Sequence, residues 1–145
     1  MRSGVILLVE DNRDDAELAV RAFQKSGIKN EIARAGDGVE ALDYLFGTGP
    51  HAVQPPAPPD LVLLDLKLPR VDGLEVLRRL RGSERTRHLP VVILTSSEQE
   101  QDIVQSYELG ANSYVRKPVD YGEFAEAIRQ LVSYWLVLNQ TASRP

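Results

Sequence analysis

Five short strand-like runs, each followed by a stretch with helical spacing, set the strongest limit on what this chain can become. The runs are Val5 to Val9, Glu31 to Ala35, Leu61 to Leu64, Val91 to Leu94 and Ser113 to Arg116. Three of them, "VILLV", "LVLL" and "VVIL", are continuously apolar, as strands must be when helices cover both faces of their sheet. Helices are predicted at Asp14 to Ser26, Gly38 to Phe46, Gly73 to Arg81, Glu98 to Leu109 and Tyr121 to Asn139. Strict alternation of the two kinds predicts an α/β protein, a doubly wound five-stranded parallel sheet flanked by five helices. The one stretch of linker composition, Gly47 to Asp60 with five prolines, reads as a long surface loop before the third strand. Residues 1–145 are therefore expected to form a single domain, with 134–145 as an extended end of the last helix and a tail, and no output domain.

Several function classes fall away on composition. The chain has no cysteine, which excludes a disulfide framework and a thiolate metal site and fits a reducing, cytoplasmic setting. Its longest apolar runs fall well short of the roughly 20 residues of a membrane span, so no membrane association is expected. A net charge of -4 offers no field for a polyanion, so no nucleic-acid partner is expected either. The local basic run "RRLRGSERTR" (Arg78 to Arg87) reads as the solvated back of a helix.

In open parallel sheets ligands bind beyond the carboxyl ends of the strands. The first strand ends "VED" (Val9 to Asp11), the third meets Asp65, the fourth ends "LTSS" (Leu94 to Ser97) and the fifth runs into "YVRKP" (Tyr114 to Pro118). Glu10, Asp11 and Asp65 would repel one another and resist ionisation unless a cation joined them. All the ligands on offer are oxygens, and His51 and His88 lie elsewhere, so the expected cation is a hard one, Mg²⁺. Helix capping by itself accounts for the acids after the first strand. It does not account for a carboxylate, a hydroxyl and a lysine at the ends of three other strands.

"VEDN", "LLLDLKLPRVDG", "ILTSS" and "YVRKP", in this order and spacing, closely resemble the receiver domain of two-component response regulators from Val5 to about Leu138. The resemblance implies a flavodoxin-like receiver fold in which Asp65 accepts a phosphoryl group from a partner histidine kinase in a Mg²⁺-dependent reaction. It assigns direct metal ligation to Asp11 and Asp65, a water-mediated role to Glu10, and one ligand to the backbone carbonyl of Lys67. Thr95 and Lys117 would meet the phosphoryl oxygens, Ser96 would leave the approach open, and a cis peptide before Pro118 would aim the lysine. Tyr114 would be the aromatic that changes rotamer on activation. Lys67 and Ser97, each two residues beyond a site residue, would flank the path of the hydrolytic water and set the signal's lifetime; asparagine is common where Lys67 stands. The proline-rich loop and the "YWLVLNQ" tail resemble stand-alone receivers that accompany bacterial phytochrome kinases.

Competing readings fail on particular residues. A phosphatase or mutase of the haloacid dehalogenase type needs a second aspartate two residues after the nucleophile, where this chain has Lys67. A nucleotide carrier needs an anion cradle after the first strand, where "EDNRDD" is acidic. A phosphorelay intermediate, or a degenerate receiver acting only as a binding module, remains as the alternative, although the residues a degenerate receiver usually loses are all present. Consecutive apolar residues Tyr134, Trp135, Leu136, Val137 and Leu138 exceed the arc a helix can turn toward its own sheet. Trp135 continues the spacing of Phe124, Ile128 and Leu131 and would cap the core. Tyr134, Leu136 and Val137 would form an exposed patch at a homodimer contact that also takes in Trp135, with the adjoining fourth-helix and fifth-strand surface.

Overall fold

The computed structural model describes residues 4–138. Strands β1 (Val5–Val9), β2 (Glu31–Ala35), β3 (Leu61–Leu64), β4 (Val91–Thr95) and β5 (Ser113–Arg116) form one parallel sheet in the order β2-β1-β3-β4-β5. Helices α1 (Arg13–Lys25), α2 (Gly38–Phe46), α3 (Gly73–Arg81), α4 (Glu100–Glu108) and α5 (Tyr121–Val132) connect and cover it. The three uninterrupted apolar strands, β1, β3 and β4, lie at the centre, and the weaker β2 and β5 are the edges.

Their side chains divide by strict alternation between two cores. Leu7, Val9, Val62, Leu64, Val91 and Ile93 face α2 and α3, meeting Leu42, Leu45, Val76, Leu77 and Leu80. Ile6, Leu8, Leu61, Leu63, Val92 and Leu94 face α1 and α5, meeting Phe23, Phe124, Ile128 and Val132. Each fully buried Leu or Ile of this kind contributes about 1.5–3 kcal/mol, so the central strands fix the plane on which every polar strand end is displayed.

Four helices begin at the carboxyl edge of the sheet under a side-chain cap. Asn12, Asp37, Asp72 and Asp120 each accept the amide three residues on, satisfying a donor that the first turn leaves unpaired. The fourth helix differs: Gln99 gives it no such cap, and its buried residues are Asp102 and Ser106, both polar. It starts at Glu100, two residues later than predicted, and Glu98 ahead of it pairs with Arg116 at 2.8 Å.

At the opposite edge Arg81, the last residue of α3, ties the sheet together. Its Nε donates to the Gly110 carbonyl (2.9 Å), Nη1 to Leu89 (2.8 Å) and Arg87 (3.0 Å), and Nη2 to Asn112 Oδ1 (3.0 Å). The basic run it belongs to is thus only partly a solvated face: Arg78 and Arg79 pair with Glu75 on the surface, whereas Arg81 is built in.

The proline-rich stretch is a loop, as expected, opening with one 3₁₀ turn at Gly49–His51 where His51 meets the edge of Tyr44 at 5.3 Å. The last helix departs from expectation. Its α-helical part ends at Val132 and a π-helical segment, Ser133–Leu138, follows; Asn139 lies outside the described residues. The wider π turn changes the angular step between residues. Trp135 and Leu136 both pack against the α1/α5 core, and Tyr134 stays half exposed. Trp135 and Leu136, packed on their own core, are therefore not part of an exposed contact patch, and the side chain of Val137 lies outside the described set.

Candidate functional site: an acidic pocket at the strand ends

Parallel strands with this register bring the ends of β1, β3, β4 and β5 to one edge, and the predicted residues meet there. Carboxylate oxygens of Glu10, Asp11 and Asp65 lie within 4.8 Å of one another, with Glu10 and Asp65 buried and Asp11 exposed. Asn12, not an aspartate, caps α1, accepting from the Asp15 amide at 2.9 Å, so the acidic pair is not consumed in capping.

Lys117 reaches the same pocket from the end of β5. Its Nζ is 2.5 Å from Glu10 Oε1, 3.1 Å from Asp15 Oδ2 and 3.2 Å from Asp65 Oδ2. Asp15, which the sequence reading accounts for by helix capping alone, is a further member; its signal is a place in the first turn of α1, at the strand-end side. The peptide before Pro118 is trans, since none of the described peptide bonds is cis, and the lysine reaches Asp65 all the same. Either isomer is accessible at a prolyl bond, so the geometry is decided by where β5 ends. The Lys117 amide donates to the Thr95 carbonyl at 2.7 Å, which fixes that end.

Burial pushes the Glu10 carboxyl up to about 7, against the lowering effect of the Lys117 ammonium and with a further push from Asp65. Burial opposes the charge on Lys117, but its bond to Glu10 and the charges of Asp65 and Glu10 outweigh that and hold it protonated above its usual range. The pocket thus carries more negative charge than its lysine neutralises. Its donors are oxygens, with no histidine or cysteine, and the carboxylates already converge, so the residues fit a hard divalent cation.

A glycine shapes the wall of the pocket. Asp72 caps α3 through the Glu75 amide at 3.0 Å, and Gly73 packs directly on the backbone of Asp65. A β-carbon at Gly73 would lie 2.2 Å from the Asp65 carbonyl oxygen and 2.7 Å from Leu66 Cα. Gly73→Ala is expected to destabilise the fold by about 1–3 kcal/mol, read by urea unfolding, because only backbone movement relieves the overlap.

The remaining predicted residues line the rim. Thr95 is fully buried, its Oγ1 accepting from the Ser97 amide at 3.4 Å, and Ser96 is exposed. Tyr114 is half-buried on β5 and donates its hydroxyl to the Ser97 carbonyl at 2.9 Å. The Lys67 amide donates to Asp65 Oδ1 at 3.3 Å. Its side chain is not simply solvated: Nζ lies 3.4 Å from Asp102 Oδ2, the same oxygen that accepts the Ser97 hydroxyl at 2.6 Å. Asp102 is a residue sequence reasoning passed over; an acid in the first turn of a helix carries no mark of burial.

Residues 6–129 match the model of the response regulator receiver domain. The chain belongs to the response regulator receiver family. Among similar proteins, response regulator Rcp1 of Synechocystis is 37% identical over 132 residues, covering 91% of this chain and 88% of its own. The Mn²⁺-bound structure of Rcp1 superimposes with a TM-score of 0.89 at 35% identity, over 97% of this chain and 99% of that one. The phosphorylated cyanobacterial phytochrome response regulator RcpA gives a TM-score of 0.92 at 35% identity, covering 98% and 100%. The bacteriophytochrome response regulator AtBRR is 53% identical, with a TM-score of 0.76 and coverage of 97% and 100%. The receiver is a signalling protein of this kind, its acidic pocket corresponds to the divalent-metal site of the family, and its fold is the flavodoxin-like one expected. Among the described residues no helix is long and apolar enough to cross a membrane.

Proposed function

We propose that Asp65 accepts a phosphoryl group from a partner histidine kinase, with Mg²⁺ held by Asp11, Asp65 and the Lys67 carbonyl and, through water, by Glu10. The observation that carries this reading is the convergence of Asp65, the Glu10/Asp11 pair and Lys117 in one pocket. A carboxylate oxygen of Asp65 forms the new bond to phosphorus as the bond to the donor's imidazole nitrogen breaks, and the departing imidazole takes up a proton. Bound Mg²⁺ would supply positive charge to the phosphoryl oxygens. Little covalent work is left to the protein, so rate comes from positioning and electrostatics. Lys117 stands beside the nucleophile to take up phosphoryl charge, and Thr95 and Tyr114, joined through Ser97, transmit the change. Dephosphorylation occurs in the same pocket, with Lys67 and Ser97 beside the water's path.

The partner class is a bacterial phytochrome kinase, supported by the likeness to RcpA and AtBRR, and the receiver acts as a stand-alone module in the cytoplasm. Incubation with a small phosphodonor and Mg²⁺ tests the chemistry by intact mass. A single phosphoryl gain that a chelator abolishes is expected; a gain undiminished by the chelator would refute the metal requirement.

The same reading includes a homodimer through the end of α5. Tyr134 is half exposed there, and most other exposed large apolar residues among those described, Val104, Tyr107, Val119 and Tyr121, lie on α4 or around the start of α5. Because Leu136 packs on its own core, Tyr134→Glu is the discriminating variant. Sedimentation equilibrium at micromolar concentration should give a dimer for the intact chain and a monomer for the variant; an intact-chain monomer would count against the interface.

A further inference from the structure

The fourth helix stands apart from the others, with no side-chain cap and two polar residues as its buried face. What ties its first turn to the rest of the molecule is Asp102, whose side chain is only 7% exposed. One oxygen of Asp102 accepts the Ser97 hydroxyl at 2.6 Å and lies 3.4 Å from Lys67 Nζ. Lys67 follows Asp65 by two residues and its amide already touches the Asp65 carboxylate at 3.3 Å. Ser97 in turn receives the Tyr114 hydroxyl on its carbonyl and gives its amide to Thr95. A single buried carboxylate therefore gathers the loop after β3, the loop after β4 and the first turn of α4.

We infer that Asp102 is a positioning residue that holds the Lys67 ammonium away from Asp65 until phosphorylation draws it across, which unlatches α4. The inference rests on the phosphoacceptor reading of Asp65. A phosphoryl group brings about -1.5 to -2 charges to a point beside the Lys67 backbone. The lysine ammonium is a compact charge on a flexible stem, and its head is largely exposed, so it can change partner without repacking a core. Asp102 has no such freedom. Once Lys67 leaves, its buried charge keeps only the Ser97 hydroxyl, and a buried charge without a counter-ion is strongly disfavoured. Relief comes by moving Asp102, and with it the first turn of a helix whose buried residues are both polar. A lysine two residues beyond the phosphoacceptor thus has a defined job here, passing between two carboxylate-bearing sites.

Calorimetric binding of beryllofluoride with Mg²⁺, a mimic of the phosphoaspartate, tests this in wild type, Asp102→Asn, Lys67→Met and the double variant. Asparagine keeps the Ser97 bond and removes only the charge. Asp102→Asn should bind beryllofluoride about 5-fold more tightly or better, and the gain should vanish when Lys67 is already methionine. Thermal unfolding of the four proteins completes the cycle. Coupling between Lys67 and Asp102 should be present in the free protein and absent with beryllofluoride bound, whereas a merely structural pair would couple equally in both. An Asp102→Asn gain of the same size in both backgrounds, no gain at all, or undiminished coupling in the bound state would overturn the latch. If Asp102→Asn does not fold, Asp102→Ser enters the same cycle. Wild type that binds no beryllofluoride would overturn the phosphoacceptor reading, and the latch with it; normal wild-type binding with failed coupling overturns the latch alone.

Discussion

Asp65→Asn will take up no phosphoryl group from a small donor or a kinase, and metal-free it will unfold at or above the wild-type midpoint. The first half follows from the role proposed for Asp65, the carboxylate at the end of β3 that meets both the acidic pair and Lys117. The second follows from charge. Asp65 works to raise the pKa of buried Glu10, so the two carboxylates oppose each other, and an amide of the same shape removes that repulsion. Its Lys117 contact is weakened, but Glu10 at 2.5 Å and Asp15 at 3.1 Å remain as partners for the ammonium. Intact mass and thermal unfolding of one preparation check both halves. Residual phosphorylation in the variant would move the acceptor elsewhere, and a lowered midpoint would show that the pocket is a net stabiliser without metal.

Lys117→Met will do the reverse, destabilising the metal-free protein by about 3–5 kcal/mol, the usual consequence of removing one partner from a buried ion pair. Lys117 is 8% exposed and lies beside three carboxylates, so its loss leaves an uncompensated cluster. The deficit will depend on pH. Glu10 already has its folded pKa raised from 4.5 to about 7 by burial, with Lys117 pulling the other way. A carboxyl raised on folding contributes stability that is complete below its unfolded pKa and is lost as pH rises through the folded one. Removing the lysine raises Glu10 further, so the variant's deficit should shrink on acidification from pH about 8 toward about 5. Urea unfolding with chelator across that range provides the check. A deficit independent of pH would mean that methionine fails by packing and not by charge.

Much of the fold was legible because burial on two faces leaves so plain a trace. "VILLV", "LVLL" and "VVIL" leave few alternatives to central parallel strands, and once these are aligned their polar ends share an edge. The pocket could be assembled from Glu10, Asp11, Asp65, Thr95 and Lys117 for that reason alone. What stayed hidden depends on side-chain trajectories that no spacing encodes. Asp15 and Asp102 look like ordinary first-turn acids, yet one meets Lys117 and the other Lys67. The exposure expected at Leu136 fails because the angular step of an α-helix does not hold in a π-helical segment. The cis bond before Pro118 is what the resemblance alone implies, and local preference at a prolyl bond is too weak to settle the isomer from the sequence.

The guanidinium of Arg81 gives the two edges of the sheet different duties. By holding the Leu89 carbonyl, the Gly110 carbonyl and the Asn112 side chain, it rivets the entries of β4 and β5 at the edge away from the phosphorylation pocket. Asn112 completes the rivet through the Val91 amide at 2.8 Å. If Thr95 and Lys117 move on phosphorylation as proposed, the riveted ends of the same two strands would be the fulcrum. Mutations at the riveted edge should change how long the molecule survives, and mutations at the free edge how long its message does, so the two lifetimes can be tuned separately within one small sheet.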